Sequence, residues 1–231
     1  MIVLTIDTAG ASGSIALCRC GAGDVDSDCE VIEVVPLAGR TYSAQLMPQI
    51  SALLARHHVA KTAVDAFAVA SGPGSFTGLR VGLSTVKALA EVLQKPVAAV
   101  SLLEAIAWSA PQDGQVIAVL DAMRGQVFVG EYEARRDALP KLLREALLTL
   151  NEFAAEAQAS GNVPILTPDE NLATAMRDRG LELQLVPRPQ SDVIARLGAL
   201  KIAAGQAVSP EALDANYIRR SDAEIFSKES S

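Results

Sequence analysis

Three stretches of this sequence carry residue types that could do chemistry. The first is Gly72-Pro73-Gly74-Ser75-Phe76-Thr77-Gly78, between a predicted strand and a predicted helix. Glycines at such a junction let the backbone approach a ligand or another segment closely. Ser75 and Thr77 can cap the helix, whose first N–H groups could receive a phosphate or a carboxylate. Two readings stay open: an anion-contacting loop using Gly72, Gly74, Ser75, Thr77 and Gly78, or a tight strand-to-helix turn. No Gly-Lys-Ser/Thr closes the stretch, so it is not a P-loop, and Ser75 does not sit in G-x-S-x-G. The second and third stretches are Asp7-Thr8 and Asp121, the latter followed by Arg124. An Asp at the end of a strand with a hydroxyl beside it suits a water-mediated metal–phosphate contact. Two such hairpins would make a nucleotide cleft. Equally, each Asp could cap its own turn.

Nucleophile and base arrangements are poor. No Ser/His/Asp or Cys/His set is visible from spacing, and no catalytic residue is expected. The two histidines, His57 and His58, are adjacent at a helix end, and His57 continues an apolar stripe. Cys18, Cys20 and Cys29 fit a reducing compartment as ordinary thiols. Their C-x-C lacks a fourth ligand, so no metal is expected. Asp24, Asp26 and Asp28 lack the downstream Gly and Glu of a calcium loop and read as a solvated turn.

The elements that must position these residues follow from periodicity. Residues 1–7 read as a buried strand, 14–18 as its hairpin partner and 29–37 as a third strand. Leu46, Ile50, Leu53, Leu54 and His57 recur on one face of a helix. Residues 64–70 form a strand running into the glycine stretch, and an apolar helix continues to about Gln94. Gly78, Gly82 and Thr85 give it a strip of small residues, while Leu79, Leu83, Val86 and Leu89 cover most of the rest. Such a helix is buried on more than one side, and with the Leu46 helix it forms a candidate protein–protein face. A strand at 97–100 and a Ser101–Glu104 capping box follow. The second half repeats the theme: strand 116–120 ending in Asp121, a turn, strand 126–132, then helices opening at Thr149, 169 and 191 with short strands at 163–166 and 181–186. Two related α/β lobes are predicted, 1–102 and 103–231, with a tail that could pack back on the first lobe and a polar end that frays.

The 231 residues are 50% hydrophobic and carry a net charge of −7. Such a chain can bury a sizeable core, and its charge argues against gripping nucleic acid by its own surface. The charge is uneven: residues 1–100 hold 8 acids and 7 bases, and the rest hold 19 and 13. No segment is long and apolar enough to span a bilayer, and the N-terminus has no basic region of a signal peptide. A cytoplasmic protein is expected.

Ile6-Asp7-Thr8-Ala9 with Ser14-Ile15-Ala16-Leu17, then Ser71–Gly82 (SGPGSFTGLRVG), Leu120–Phe128 (LDAMRGQVF) and Tyr217-Ile218-Arg219 together resemble the TsaB (YeaZ) family, in order over almost the whole chain. The resemblance implies a two-lobed α/β fold of the actin/Hsp70/sugar-kinase (ASKHA) type, each lobe a mixed sheet with flanking helices. It implies a non-catalytic paralogue of the transferase TsaD, in the machinery that places threonylcarbamoyl on the adenosine beside the tRNA anticodon. Docking on TsaD would use helices at about 43–57 and 75–94, with Tyr42, Gln45, Leu46, Gln49, Ile50, Leu53, Arg80, Leu83, Val86 and Lys87 as contact candidates. The ATPase TsaE joins the pair, and tRNA enters only through the complex. No cofactor is required, although ATP or ADP could sit at the complex interface near Ser75 and Gly78. Isolated chains would pair as homodimers through the same face. Tyr42-Ser43 stands where many members have His-Ser, and the metal-binding histidines of TsaD are absent. The Cys20–Cys29 hairpin is longer than the family usually shows. The competing reading is a phosphotransferase or hydrolase of the same fold, using Asp7 and Asp121 around a nucleotide.

Overall fold

The computed structural model describes residues 1–21, 29–38, 41–136, 138–216 and 218. The acid-rich stretch 22–28, read from sequence as a solvated turn, and residues 217 and 219–231, with Tyr217 and Arg219, lie outside them. Ile2–Asp7 form β1, a strand buried on both faces from Val3 onward. It pairs antiparallel with β2 (Gly13–Arg19), in a register that sets Asp7 opposite Ser14. β2 pairs antiparallel with β3 (Glu30–Leu37). The chain then crosses through α1 (Tyr42–Arg56) to β4 (Ala66–Gly72), parallel to β1, and through α2 (Phe76–Leu93) to β5 (Val97–Ser101), parallel to β4. The sheet order is β3-β2-β1-β4-β5.

The second sheet has the same winding. β6 (Gly114–Asp121) and β7 (Gln126–Arg135) form a hairpin, followed by β8 (Ala138–Thr149), β9 (Ile165–Thr167) and β10 (Gln184–Leu185). Its order is β10-β9-β6-β7-β8, with β9 parallel to β6 and β10 parallel to β9. In each sheet the first hairpin strand is central and ends in an aspartate. α4 (Leu150–Ala159) opens on a complete capping box between Thr149 and Glu152. With α5 (Glu170–Arg177) it buries Phe153, Leu172 and Met176 against Val119, Val127 and Val129. β8 has no counterpart in the sequence-based assignment. Its leucines at 139, 142, 143, 147 and 148 do not alternate, and Leu142 and Leu143 are exposed on this edge strand.

The chain divides into two compact units, Met1–Ala105 with Pro189–Ala215, and a second built on Ile106–Arg136 and Pro140–Arg188. α6 (Ser191–Ala203) thus belongs with the first sheet although it follows residue 103. Small residues cause this. A Cβ on Gly198 would lie 2.5 Å from the Ala68 Cβ, so helix and strand are in direct contact there. Ser191 and Ser14 share a buried hydroxyl–hydroxyl hydrogen bond of 2.7 Å, and Ser191 Oγ donates to the Ser14 carbonyl at 2.8 Å. Lys201 Nζ reaches Glu104 at 2.9 Å, on α3 (Leu102–Trp108), in a pair largely shielded from water. α6 covers one face of the first sheet; α2, whose Gly82 lies against Ile6, covers the other with α1 beside it. No helix among the described residues is long and apolar enough to cross a membrane.

The cysteines differ from the expectation of ordinary thiols. Arg19 stands opposite Glu30 in the β2–β3 ladder, so the next residues, Cys20 and Cys29, meet and are joined as a disulfide; Cys18 is a buried free thiol.

Helix α1 is tied to edge strand β3 at its C-terminal end. The Glu33 carboxylate takes Arg56 at 2.7 and 3.2 Å, and His57 Nε2 lies 2.7 Å away. The Arg56 hydrogen bond, then that of His57, holds the Glu33 carboxyl below its ordinary value of 4.5. A depressed carboxyl pKa stabilises the fold above the unfolded value, and the contribution is lost as pH falls through the folded one. The group is partly exposed, so the effect is modest. Thermal melts of wild type and Glu33→Gln should therefore differ above about pH 5 and converge as pH drops below the ordinary glutamate range; an offset that persists undiminished well below that range contradicts this assignment.

Candidate docking face and the glycine junction beneath it

The junction is built from two turns pressed together. Ser75 caps α2, its Oγ accepting the Gly78 N–H at 3.3 Å. The Ser75 N–H donates to the Ala9 carbonyl at 2.7 Å, and the Thr8 hydroxyl donates to the Gly78 carbonyl at 2.7 Å. The β1–β2 turn thereby lies on the first turns of α2 with no room for side chains between them. A Cβ on Gly74 would stand 2.4 Å from the Ala9 carbonyl oxygen, one on Gly78 2.0 Å from that of Thr8, and one on Gly82 2.4 Å from the Thr8 hydroxyl. Gly72, at φ +119°, supplies the backbone angle that turns the chain out of β4.

This geometry bears directly on the anion reading. Thr8, Ser75 and Gly78 use their polar groups on one another, and Gly74 is a close-approach residue, so the tight-turn reading accounts for the stretch. Thr77 is exposed on α2. Asp7 is buried and accepts the Ala9 N–H at 2.9 Å, while Asp121 accepts the Met123 N–H at 2.8 Å. Each aspartate therefore braces its own turn in the same i to i+2 pattern. The Asp121 turn carries Met123 and Arg124 at φ +61° and +55°. The Asp121 N–H donates to Asp169 at 2.9 Å. Tyr42 closes the first turn: its hydroxyl donates to the Gly10 carbonyl at 2.9 Å and its ring lies over Gly13. Burial, then the Asp7 charge, raises the Tyr42 phenol pKa above 10.

The proposed contact residues separate into two groups. Leu46, Ile50, Leu53, Leu83 and Val86 are at most 5% exposed, and Tyr42 is buried as well. These apolar stripes face the chain's own sheet, so they hold the helices in place and cannot meet a partner. Gln45 and Gln49 are half-buried, with the Gln45 amide donating to Thr41 Oγ1 and to the Ala38 carbonyl. Lys87 is half-buried, and Arg80 is exposed with its guanidinium 3.8 Å from the centroid of the Phe76 ring. The outward sides carry other residues: Ala44, Met47, Ser51, Ala52 and Ala55 on α1, and Ser84, Ala88 and Val92 on α2. Val92 is 80% exposed and Met47 46%. From Ser43 to Ala55 no residue of α1 is charged. On α2 the exposed side also carries Arg80 and Glu91, so the uncharged candidate docking face is that of α1, with Ser84, Ala88 and Val92 added from α2. The complement of each buried stripe was the available sequence signal for it.

Comparisons with known proteins identify the family. A family model described as TsaD, tRNA N6-adenosine threonylcarbamoyltransferase, matches residues 34–187. The tRNA threonylcarbamoyladenosine biosynthesis protein TsaB of Bacillus subtilis is 30% identical over 97% of this chain and 96% of its own length. The chain belongs to the TsaB family. YeaZ from Pseudomonas aeruginosa superposes with a TM-score of 0.73 at 28% identity, covering 94% of this chain and 99% of that structure. A Listeria monocytogenes chain described as a candidate N-acetylmannosamine kinase, 13% identical, matches with a TM-score of 0.50 over 89% of this chain and 99% of its own, a likeness of fold alone. Two mixed five-stranded sheets of the same strand order, with flanking helices, are an ASKHA-type arrangement.

Two substitutions test the division of labour in this chain. Gly78→Ala should destabilise the protein by about 2 kcal/mol or more, because backbone, not a movable side chain, occupies the space. Leu46→Asp should abolish folding of the isolated chain, since it buries an unpaired charge; a soluble, cooperatively melting Leu46→Asp protein contradicts the inward orientation.

Proposed function

We propose that this chain is a non-catalytic scaffold subunit in tRNA threonylcarbamoyladenosine biosynthesis, docking on a TsaD-type transferase through the outward faces of α1 and α2. The observation that carries the reading is the uncharged, small-residue outer side of α1, together with Ser84, Ala88 and Val92 on α2, on a chain that the transferase's own family model matches. A homologous partner presents corresponding helices, so the two pairs can meet about a quasi-two-fold axis as a four-helix contact. A standard interface buries about 800 Å² on each side, and apolar burial stabilises by roughly 25 cal/mol per Å² before the costs of association. Ala52 and Ala88 let helices approach closely; Met47 and Val92 supply apolar area.

The other roles follow from this placement. A TsaE-type ATPase joins the pair, and tRNA is held by the complex, since a chain of net charge −7 attracts no polyanion by itself. Without the transferase the same face pairs two copies of this chain. Any ATP or ADP sits at the assembled interface near Ser75 and Gly78, where Ser75 is exposed.

The test is co-purification with the transferase after Ala52→Glu or Ala88→Glu. Both sites are exposed, so melting temperatures should stay within about a degree, while association weakens at least tenfold. Undiminished association of both variants overturns the docking face. ATP turnover by the isolated chain, abolished by Asp7→Asn, would instead support the phosphotransferase reading.

A further inference from the structure

The edge of the first sheet carries a chemistry that docking does not use. Arg19 and Glu30 face each other across β2 and β3 with an ion pair of 2.8 Å. The next residues outward are Cys20 and Cys29, bonded through sulfur with Cα atoms 4.0 Å apart. Strand register brings them together, and the Cys20 N–H, donating to the Met1 carbonyl at 2.9 Å, continues the hydrogen bonding between β1 and β2 to this point. Both sulfur-bearing residues are buried. Cys18, two residues back, is a buried thiol whose pKa burial pushes up to about 11, with the Asp192 charge adding to the rise. So little of it is thiolate that it attacks a disulfide poorly, and the bond has no internal competitor.

The geometry points to Cys20 and Cys29 as a redox clip on this sheet edge, closed by a low-molecular-weight disulfide such as oxidised glutathione and opened by a thiol reductant. Closing forms one S–S bond; two protons and two electrons pass to the small disulfide, which leaves as two thiols. The cross-link restricts the unfolded chain between positions nine apart in sequence. In the folded chain it fixes the start of β3, whose Glu33 anchors Arg56 and His57 at the end of α1. Reduction loosens this edge without dismantling it, because the ladder from Gly13 to Arg19 remains.

The full chain, treated with oxidised glutathione, then denatured, alkylated and digested, should show Cys18 alone alkylated and a linked Cys20–Cys29 peptide pair. After dithiothreitol all three cysteines should be alkylated. The oxidised chain should melt about 5 °C or more above the reduced one. A Cys20→Ser/Cys29→Ser double variant should melt with the reduced wild type and ignore both reagents. The two wild-type melts decide the matter if that variant does not fold. Three alkylated cysteines after oxidation, a linkage through Cys18, or coincident oxidised and reduced melts would overturn the clip.

Discussion

The contact between the Thr8–Ala9 turn and the first turns of α2 sets the position of almost everything else in the first unit. Two backbones meet there with no side chain between them, because Gly74, Gly78 and Gly82 present none. The approach lets the Ala9 carbonyl accept the Ser75 N–H at the helix start, a donor that would otherwise need water or a ligand, and gives the buried Thr8 hydroxyl an acceptor in the Gly78 carbonyl. It fixes the rotation of α2 about its own axis. Leu79, Leu83 and Val86 must then point into the sheet, and Ser84, Ala88 and Val92 must point out.

The same economy of polar groups holds at both strand-end turns. At the end of each central strand an aspartate braces its own turn through an i to i+2 hydrogen bond. In the first turn Tyr42 adds a ring over Gly13 and a hydroxyl on Gly10. The polar groups of this junction are spent on rigidity. Rigidity is what the proposed docking surface of small residues needs, since close helix packing tolerates little displacement of either backbone.

Much of the fold was legible in the sequence because local pattern and tertiary role agree there. The i, i+4 stripe of Leu46 and Ile50, the helix start at Thr149 and the buried run at Val3–Ile6 each predict their element. β8 was not legible. An edge strand with Leu142 and Leu143 exposed need not alternate, and its leucine spacing resembles a helix as much as a strand. The Cys20–Cys29 pairing was hidden for a related reason. It depends on the register across β2 and β3, which includes a shift between Leu17 and Cys18, and composition alone pointed to free thiols.

The sequence by itself determined the family, the two hairpins whose first strands end in Asp7 and Asp121, and the absence of charge between Ser43 and Ala55 of the candidate docking face. Only the tertiary structure decided which side of those helices faces outward, what the glycines of the 72–78 stretch accommodate, and that α6 returns to the first sheet through Ser14, Ala68 and Glu104. Periodicity specifies that a helix has an apolar stripe but not what covers it. The covering contacts join residues about 70 to 180 positions apart, and such pairs are selected by packing, which no local pattern encodes.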